Sequence, residues 1–342
     1  FDGNISLNSN GNNVLNSTNK LETNIINNLT YSSLDFISDL GLKNNFGINF
    51  KNLNSIGKKS SKYKDSVQSE VLSLYNIDAS LPLSRESEKS KNFLTPKLSF
   101  RINPSDMKDY SSSNRIISAD NVFAINRFGL SDSFESGRSL TLGVDYKKEK
   151  KDTVDNLIDI NNYFKVKLAT VLRDKEESFI PNKSSLNRTT SNLFGSISNR
   201  YSNNLKIGYN FSLDNDFSTL EHNQIDTTFS INNIVTNFNF IESNGERGDT
   251  NILASSIAYS LDDENSFSFS TRRNRKINLT EFYDLVYQYK NDCLTAGIKY
   301  KKDYYSDGAI KPTENILFTV TLFPLTTFEY DAEQDLKRYR DN

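Results

Sequence analysis

Hydrophobic and polar residues alternate along most of this chain. Between Ser139 and Tyr146, and again between Asn204 and Leu213, every second residue is apolar and the residues between them are mostly polar. Successive side chains of a β-strand point to opposite faces, so each such segment has one apolar face and one polar face. Repeated segments of this kind, separated by polar turns, are typical of an antiparallel transmembrane β-barrel.

The connections between the alternating segments are of two lengths. Short polar turns are expected at Ser202–Asn204, Asp262–Asn265 and Lys290–Asp292. Longer polar connections are expected at Gly57–Lys64, Arg85–Lys91, Pro104–Asn114, Lys147–Asn156 and Arg173–Asn187. Short turns at one end and long loops at the other are a property of outer-membrane barrels, and the chain has room for about 16 strands with their connections. We assign residues 1–325 to the barrel portion and residues 326–342 to a charged C-terminal tail.

The composition favours a β-sheet that does not enclose a common hydrophobic core. Only 36% of the residues are hydrophobic and the mean hydropathy is −0.60, yet 12% are aromatic, which argues against disorder. No run of about 18 apolar residues is present, so a transmembrane helix is excluded and any membrane crossing needs a closed barrel. The 41 basic and 43 acidic residues give a net charge of −2, which indicates no nucleic-acid partner.

Soluble sandwiches and secreted β-solenoids also alternate, so they remain alternative folds. Two observations favour the barrel. The alternating segments are about 9 to 14 residues long, as a tilted membrane strand requires. Solenoids are rich in glycine repeats, whereas this chain has only 14 glycines.

Candidate catalytic chemistry is sparse. His222 is the only histidine, expected in a loop, and no glycine-framed nucleophile, dinucleotide fingerprint or phosphate-binding loop accompanies it. The cluster Asp262–Glu264 has ligands for weak Ca²⁺ binding, but a solvated turn explains it better. We therefore predict no catalytic residue, no cofactor and no metal site, and we expect a protein that is not an enzyme.

Two other features carry possible chemistry. The basic residues Arg272, Arg273, Arg275 and Lys276 are expected in a long loop, where guanidinium groups suit phosphates such as those of lipopolysaccharide; a charged rim loop is the alternative. Cys293 is the only cysteine, and an odd thiol in an oxidising compartment suggests a disulfide with a segment outside this sequence. The alternative is an inert small residue at a turn.

Several segments resemble a known family in their order and spacing. They read FLTPKLSFRINP (93–104), NVFAINRF (121–128), RSLTLGVDY (138–146), SLNRTTSNLFG (185–195), YQYKNDCLTAGIKY (287–300) and ENILFTVTLFPL (314–325). Together they cover most of the chain after residue 90, and they resemble the LptD family of lipopolysaccharide-assembly outer-membrane proteins, also called the organic solvent tolerance family.

The resemblance implies a function. Members form an outer-membrane barrel of Gram-negative bacteria that inserts lipopolysaccharide into the outer leaflet through a lateral gate between the first and last strands. The implied partners are lipopolysaccharide, outer-membrane lipids, the plug lipoprotein LptE inside the barrel, and a periplasmic lipopolysaccharide-bridge protein that docks on an N-terminal jellyroll. This chain is too short for the jellyroll and a full barrel, so we expect a C-terminal, partial barrel.

The resemblance also assigns residues. The last strand is expected at residues 315–323, with Ile316, Phe318, Val320 and Leu322 facing lipid as one lip of the gate, and Pro324 ending strand pairing. Asn126 and Arg127 match a stretch near the barrel interior. Cys293 matches a position where the family often has two adjacent cysteines that bridge to the N-terminal domain, so at most one such bridge can form here.

Two alternative functions remain open at this stage. One is another outer-membrane porin or substrate-specific channel. The other, from a different class, is a secreted β-rich adhesin.

Overall fold

The computed structural model describes residues 2–16, 19–151, 158–304 and 312–331, and these residues form an all-β, antiparallel fold. Nineteen strands lie in these ranges. Their bounds are β1 Gly3–Asn16, β2 Lys20–Ser33, β3 Phe36–Ile37, β4 Lys43–Lys58, β5 Gln68–Ser80, β6 Leu83–Glu86, β7 Ser90–Asn103, β8 Gly137–Lys151, β9 Ile158–Arg173, β10 Leu193–Ser202, β11 Leu205–Leu213, β12 Leu220–Ile231, β13 Ile234–Ser243, β14 Thr250–Ser260, β15 Asn265–Asn274, β16 Leu279–Lys290, β17 Leu294–Asp303, β18 Thr313–Leu322 and β19 Thr326–Asp331.

Strand length agrees with the alternation. Sixteen of these strands have between 9 and 16 residues, and only β3, β6 and β19 are shorter. The all-β antiparallel class predicted from the sequence is therefore confirmed, and the estimate of about 16 strands matches the number of long ones. No helix in the described part of the chain is long and apolar enough to cross a membrane.

The chain divides into two compact units. The first comprises residues 1–158, 165–196 and 211–220, and the second comprises residues 159–164, 197–210 and 221–342. In the first unit, β1, β2, β4, β5, β7 and β8 pair successively and antiparallel, while β3 and β6 add short pairings to β4 and β7.

On β4, β5, β7 and β8, the sheet of the first unit buries a face with many polar residues, which also includes Leu53, Leu72 and Leu74, and exposes a largely apolar face. On β4, Asn49, Lys51 and Ser55 are buried, whereas Phe50 on the opposite face is 39% exposed. The neighbouring strands repeat this arrangement: the buried residues Asn76, Ser99, Arg101, Asn103, Ser139 and Thr141 alternate with the exposed residues Val71, Tyr75, Ile77, Leu98, Phe100 and Leu142.

This inverted polarity would be unfavourable in water. Exposed apolar area costs roughly 25 cal/mol per Å² relative to burial. In a bilayer the solvent of the outer face is hydrocarbon, so the same face is stabilised by exposure. The pattern is thus the one expected of strands with a lipid-facing side.

Apolar and polar side chains form separate rows across the second unit, where β12 to β19 pair successively and antiparallel. One row crosses seven strands through Ile234, Tyr259, Phe267, Tyr287, Ile298, Phe318 and Tyr330. A polar row on the other face crosses five strands through Ser256, Ser270, Asp284, Lys301 and Asn315. Aromatic neighbours in the apolar rows touch, with ring centroids 4.9 Å apart for Phe267 and Tyr287.

Short and long connections both occur between the strands, as predicted, but some of the predicted long connections have different bounds or lengths. The turns at 203–204, 232–233, 261–264, 291–293 and 323–325 are short, and the connections at 59–67, 104–136 and 174–192 are long. Arg85–Lys91 was predicted to be a long connection, which is wrong: β6 and β7 pair through a tight turn at 87–89. The connection after Pro104 continues to residue 136, well past Asn114. Of the predicted loop Lys147–Asn156, the first residues extend β8, and residues 152–157 lie outside the described residues.

The C-terminal boundary also differs from the prediction. Residues 326–331, predicted to be a tail, form β19, which pairs with β18 from Leu322↔Thr326 to Leu317↔Asp331. The strand at residues 315–323 is therefore not the last one, and Pro324 lies in the turn between two paired strands. Residues 332–342 of the predicted tail lie outside the described residues.

Candidate functional site

The connection between β7 and β8 folds onto the polar face of the first unit. We call residues 104–136 the inner segment. It packs its apolar residues with those of β9, β10 and the 174–192 loop in one buried cluster, formed by Met107, Ile117, Ala119, Val122, Phe128, Leu130, Ala169, Val171, Ile180, Leu186 and Phe194. The polar face is thus covered by a packed segment.

Turn-forming residues hold the inner segment in its irregular path. Asn121 Oδ1 accepts a hydrogen bond from the Ser118 N–H at 2.8 Å, and Asn126 Oδ1 accepts one from the Leu130 N–H at 2.9 Å. Gly129, just before Leu130 in the second of these turns, has a φ of +62°, which glycine adopts without strain.

Glu135 is the centre of a buried ionic network that fixes the C-terminal part of the inner segment. Its carboxylate accepts hydrogen bonds from Arg127 Nε at 2.6 Å and from Arg173 Nη1 at 2.5 Å, and it also contacts Arg127 Nη2. Arg127 in turn donates to the hydroxyls of Ser139 and Thr141 on β8, each at 3.1 Å. The network therefore links the inner segment to β8 and β9.

The charges in this network determine the protonation state of Glu135. Burial alone would raise the pKa of the Glu135 carboxyl, but the guanidinium groups of Arg127, Arg173 and Arg101 outweigh burial and lower the pKa to about 2. Glu135 is consequently ionised at neutral pH.

Asp132 anchors the inner segment to the 59–67 loop. Its fully buried carboxylate accepts a hydrogen bond from the Tyr63 hydroxyl at 3.2 Å, pairs with Lys62 Nζ at 2.7 Å, and accepts a hydrogen bond from the Tyr110 hydroxyl. Burial raises the pKa of Asp132, but its contacts with Lys62 and Tyr110 outweigh burial, so the net shift of the pKa is downward.

Lys51 makes a third attachment, from the polar face of β4. Its ammonium group donates to the carbonyl oxygens of Leu130, Ser131 and Ser133 at 3.3, 2.8 and 3.0 Å. The same group lies 4.5 Å from the centroid of the Phe134 ring. The buried positive charge of Lys51 on β4 is thus compensated by backbone carbonyl oxygens of the inner segment.

Both interior candidates, Asn126 and Arg127, lie in the inner segment but face different surroundings. Arg127 is buried in the Glu135 network. Asn126 is exposed, exchanges hydrogen bonds with the backbone of Leu130, and borders a cavity of about 300 Å³.

The basic run lies at a tight turn, so the predicted long loop is wrong. Arg272 and Arg273 lie near the C-terminal end of β15, and Arg275 and Lys276 lie in the turn at residues 275–278. Their charges are partly engaged: Arg272 pairs with Glu281 at 2.9 Å, Lys276 pairs with Asp249, Arg273 donates to Asn278, and Arg275 lies 5.8 Å from the Phe240 ring centroid.

Cys293 is exposed in the 291–293 turn, and its thiol is free within the described residues.

His222 was predicted in a loop, which is wrong: it lies on β12, with Nδ1 2.9 Å from Ser243 Oγ. Asp262 Oδ1 accepts hydrogen bonds from the backbone N–H groups of Glu264 and Asn265, as expected of a turn-forming residue. The described residues contain no group of three or more metal-ligating side chains.

The gate candidates occupy one strand. Ile316, Phe318, Val320 and Leu322 lie on one face of β18, and the last three are exposed. Within the described residues, β18 pairs with β17 from Leu294↔Leu322 to Asp303↔Thr313 and with β19 from Leu322↔Thr326 to Leu317↔Asp331.

Sequence reasoning missed Asp132, Glu135, Lys51 and Arg173, which attach the inner segment. The available signal was the loss of alternation between residues 115 and 136, where apolar residues occur at irregular spacing. Charged residues at polar positions of long strands, such as Lys51 and Arg101, were a second signal.

Comparison with known proteins identifies a family. The family described as "LptD: LPS transport system D" matches residues 20–258, which is more than half of the chain. No curated protein matches. Among solved structures, a double mutant of the Rh. blastica porin and a triple mutant of the Rhodopseudomonas blastica porin are 12% and 10% identical to this chain, each with a TM-score of 0.30, covering 85% of this chain and 97% of theirs. These structures resemble the chain only distantly.

Proposed function

We propose, because this chain belongs to the LptD family, that it forms part of an outer-membrane barrel that inserts lipopolysaccharide into the outer leaflet of a Gram-negative bacterium. The family is one of lipopolysaccharide transport. The observation that carries the proposal in the structure is the inverted polarity of the sheet. An exposed apolar face suits membrane lipid, and polar side chains on the opposite face of the strands suit a polar barrel interior through which sugars can pass.

The proposed transport is physical rather than covalent. The hydroxyl-rich head group follows the polar face, while the acyl chains reach the membrane between two strands. We place this lateral gate at β18 and β19, because the resemblance assigns Ile316 to Leu322, which lie on β18, as one lip, and β19 is the next strand that pairs with β18. Ile316, Phe318, Val320 and Leu322 would then form the lipid-facing lip of β18, with Pro324 in the turn beyond it.

The same proposal assigns protein partners. A plug lipoprotein of the LptE kind would contact the inner segment, where Asn126 is exposed and Arg127 holds the segment in place. A periplasmic lipopolysaccharide-bridge protein would bind through an N-terminal jellyroll. Co-purification of a lipoprotein with the full-length protein separates this assignment from a general porin.

We assign the two ends of the second unit from turn length. Short turns lie on the periplasmic side of outer-membrane barrels. Cys293, in the short 291–293 turn, would then meet a periplasmic domain and form a disulfide with it. Non-reducing electrophoresis of the full-length protein tests this: reduction should change its mobility, and the Cys293→Ser variant should abolish that change.

The turn at residues 275–278, which carries part of the basic run, lies one strand away from the 261–264 and 291–293 turns, so it would lie at the opposite, outer end. We propose that Arg272, Arg273, Arg275 and Lys276 contact lipopolysaccharide phosphates there, with affinity limited by their existing partners. Replacing all four with alanine should weaken binding of phosphorylated lipopolysaccharide more than Lys290→Ala does at the other end. Equal effects would contradict this assignment.

Depletion of the full-length protein in its host tests the function as a whole. Newly made lipopolysaccharide should fail to reach the cell surface and should accumulate in inner membranes, and the protein should require detergent for extraction. Unchanged surface delivery, or solubility in plain buffer, would overturn the proposal.

A further inference from the structure

An uncharged, amide-rich surface lies on the polar face of β1, β2 and β4. The strand registers place Asn8 opposite Asn28, and Thr30 opposite Asn49. Asn10 is two residues beyond Asn8 on the same face of β1. We call these five residues the amide cleft.

The amide cleft forms one side of a cavity of about 300 Å³. Residues of the inner segment form the other side, including Ile125, Leu130 and Ser131. This volume is at the lower end of the range typical of small-molecule sites, about 300–1,000 Å³.

The amides of the cleft have unused hydrogen-bonding capacity. Asn49 is buried, with only 6% of its surface exposed, yet its Nδ2 has no hydrogen-bond partner. The side chains of Asn8, Asn10 and Asn28 make no hydrogen bond within the part of the chain that the structure describes. Asn8 and Asn10 are exposed, whereas Asn49 is buried. Buried polar groups are normally paired, so the unpaired amide of Asn49 beside the cavity indicates a site for an external acceptor.

The cleft offers little free charge. Lys51 is the only charged residue that lines the cavity within the described ranges, and its ammonium group already binds three carbonyl oxygens of the inner segment. Amides both donate and accept hydrogen bonds, as sugar hydroxyls do, while the exposed side chain of Ile125 offers apolar contact to ring C–H groups.

We propose that the amide cleft binds a neutral carbohydrate, namely the non-phosphorylated sugars of the transported lipopolysaccharide. This inference rests on the proposed function. The amide cleft would thus bind sugar hydroxyls between the sheet and the inner segment. Phosphate groups of the lipopolysaccharide would not be needed for this binding.

The test uses the purified protein in detergent and a defined probe, the core oligosaccharide released from lipopolysaccharide and enzymatically dephosphorylated. Binding is measured by isothermal titration calorimetry. The Asn8→Ala/Asn28→Ala variant should bind about tenfold more weakly, since it loses on the order of two hydrogen bonds. The matched control, Ser9→Ala/Asn27→Ala, changes adjacent residues on the opposite face and should bind like the parent.

A second variant guards against misfolding of the first. Asn49→Asp keeps the size of the side chain but removes the unpaired donor, and it should also weaken binding while electrophoretic heat-modifiability stays unchanged. Equal binding by the cleft variants and the control would overturn the proposal, and so would binding only of the phosphorylated oligosaccharide. Surface delivery of lipopolysaccharide, measured separately in cells, tests the proposed function independently of this result.

Discussion

At the scale of single residues, Glu135 is a buried carboxylate held by two arginines. Two guanidinium groups contact its carboxylate, and removing one partner of a buried ion pair costs about 3–5 kcal/mol because the remaining charge is left uncompensated. We predict that Glu135→Gln lowers the free energy of unfolding by about this amount, measured by urea titration of the refolded protein. Glu176→Gln, at an exposed position of the 174–192 loop, is the control and should have little effect.

The lowered pKa of Glu135 gives a second prediction. The folded carboxyl has a pKa of about 2 against an ordinary value of 4.5, so its contribution to stability is fully present above about pH 4.5 and is lost as the pH falls towards 2. Stability measured across this window should decrease in the parent and decrease less in Glu135→Gln. Identical pH profiles for the two proteins would contradict the assignment.

The position and role of a residue could be predicted from the sequence only where its contacts are local. The sequence could indicate that Arg127 lies near the interior, but Arg173, which shares the Glu135 carboxylate with it, lies on another strand far along the chain, and no local pattern relates them. His222 was wrongly placed in a loop because its polar neighbours resemble a turn, whereas those residues occupy β12.

At the scale of elements, the alternation of apolar and polar residues predicted the long strands and several hairpins. A strand with one lipid-facing side needs an apolar residue at every second position. The turn at 87–89 and the inner segment were not predicted. A polar stretch has the same composition whether it closes a hairpin or forms a loop, and the path of residues 115–136 depends on contacts with β4, β8 and β9 rather than on local periodicity.

The attachment of the 59–67 loop to the inner segment gives a prediction at this scale. Asp132→Asn removes the charge that holds Lys62 and weakens the hydrogen bonds from Tyr63 and Tyr110. We expect trypsin to cleave after Lys62 and Lys64 several-fold faster in this variant. Asp65→Asn, an exposed change in the same loop, should leave the cleavage rate unchanged; equal rates in both variants would show that Asp132 does not hold the loop.

The separation of apolar and polar rows gives another prediction. Phe269 lies on the apolar face of β15 and the next residue, Ser270, lies on the polar face. A lysine on the lipid side of a barrel costs about 2–4 kcal/mol near the bilayer midplane. Phe269→Lys should therefore reduce folding into lipid vesicles, measured by heat-modifiability, and Ser270→Lys should fold almost as well as the parent. The reverse order would show that the lipid-facing side is assigned wrongly.

At the scale of the whole molecule, the position of the gate can be tested by comparing two neighbouring strand pairings. Thr321 on β18 lies directly opposite Thr327 on β19 and opposite Thr295 on β17. In a Cys293→Ser background, the disulfide of Thr321→Cys/Thr327→Cys should block lipopolysaccharide delivery by the full-length protein, with recovery on reduction, because the strands can no longer separate. The disulfide of Thr321→Cys/Thr295→Cys should leave delivery intact, since the proposed gate does not require β17 and β18 to separate. Delivery that survives the β18–β19 disulfide would move the gate to another strand pair.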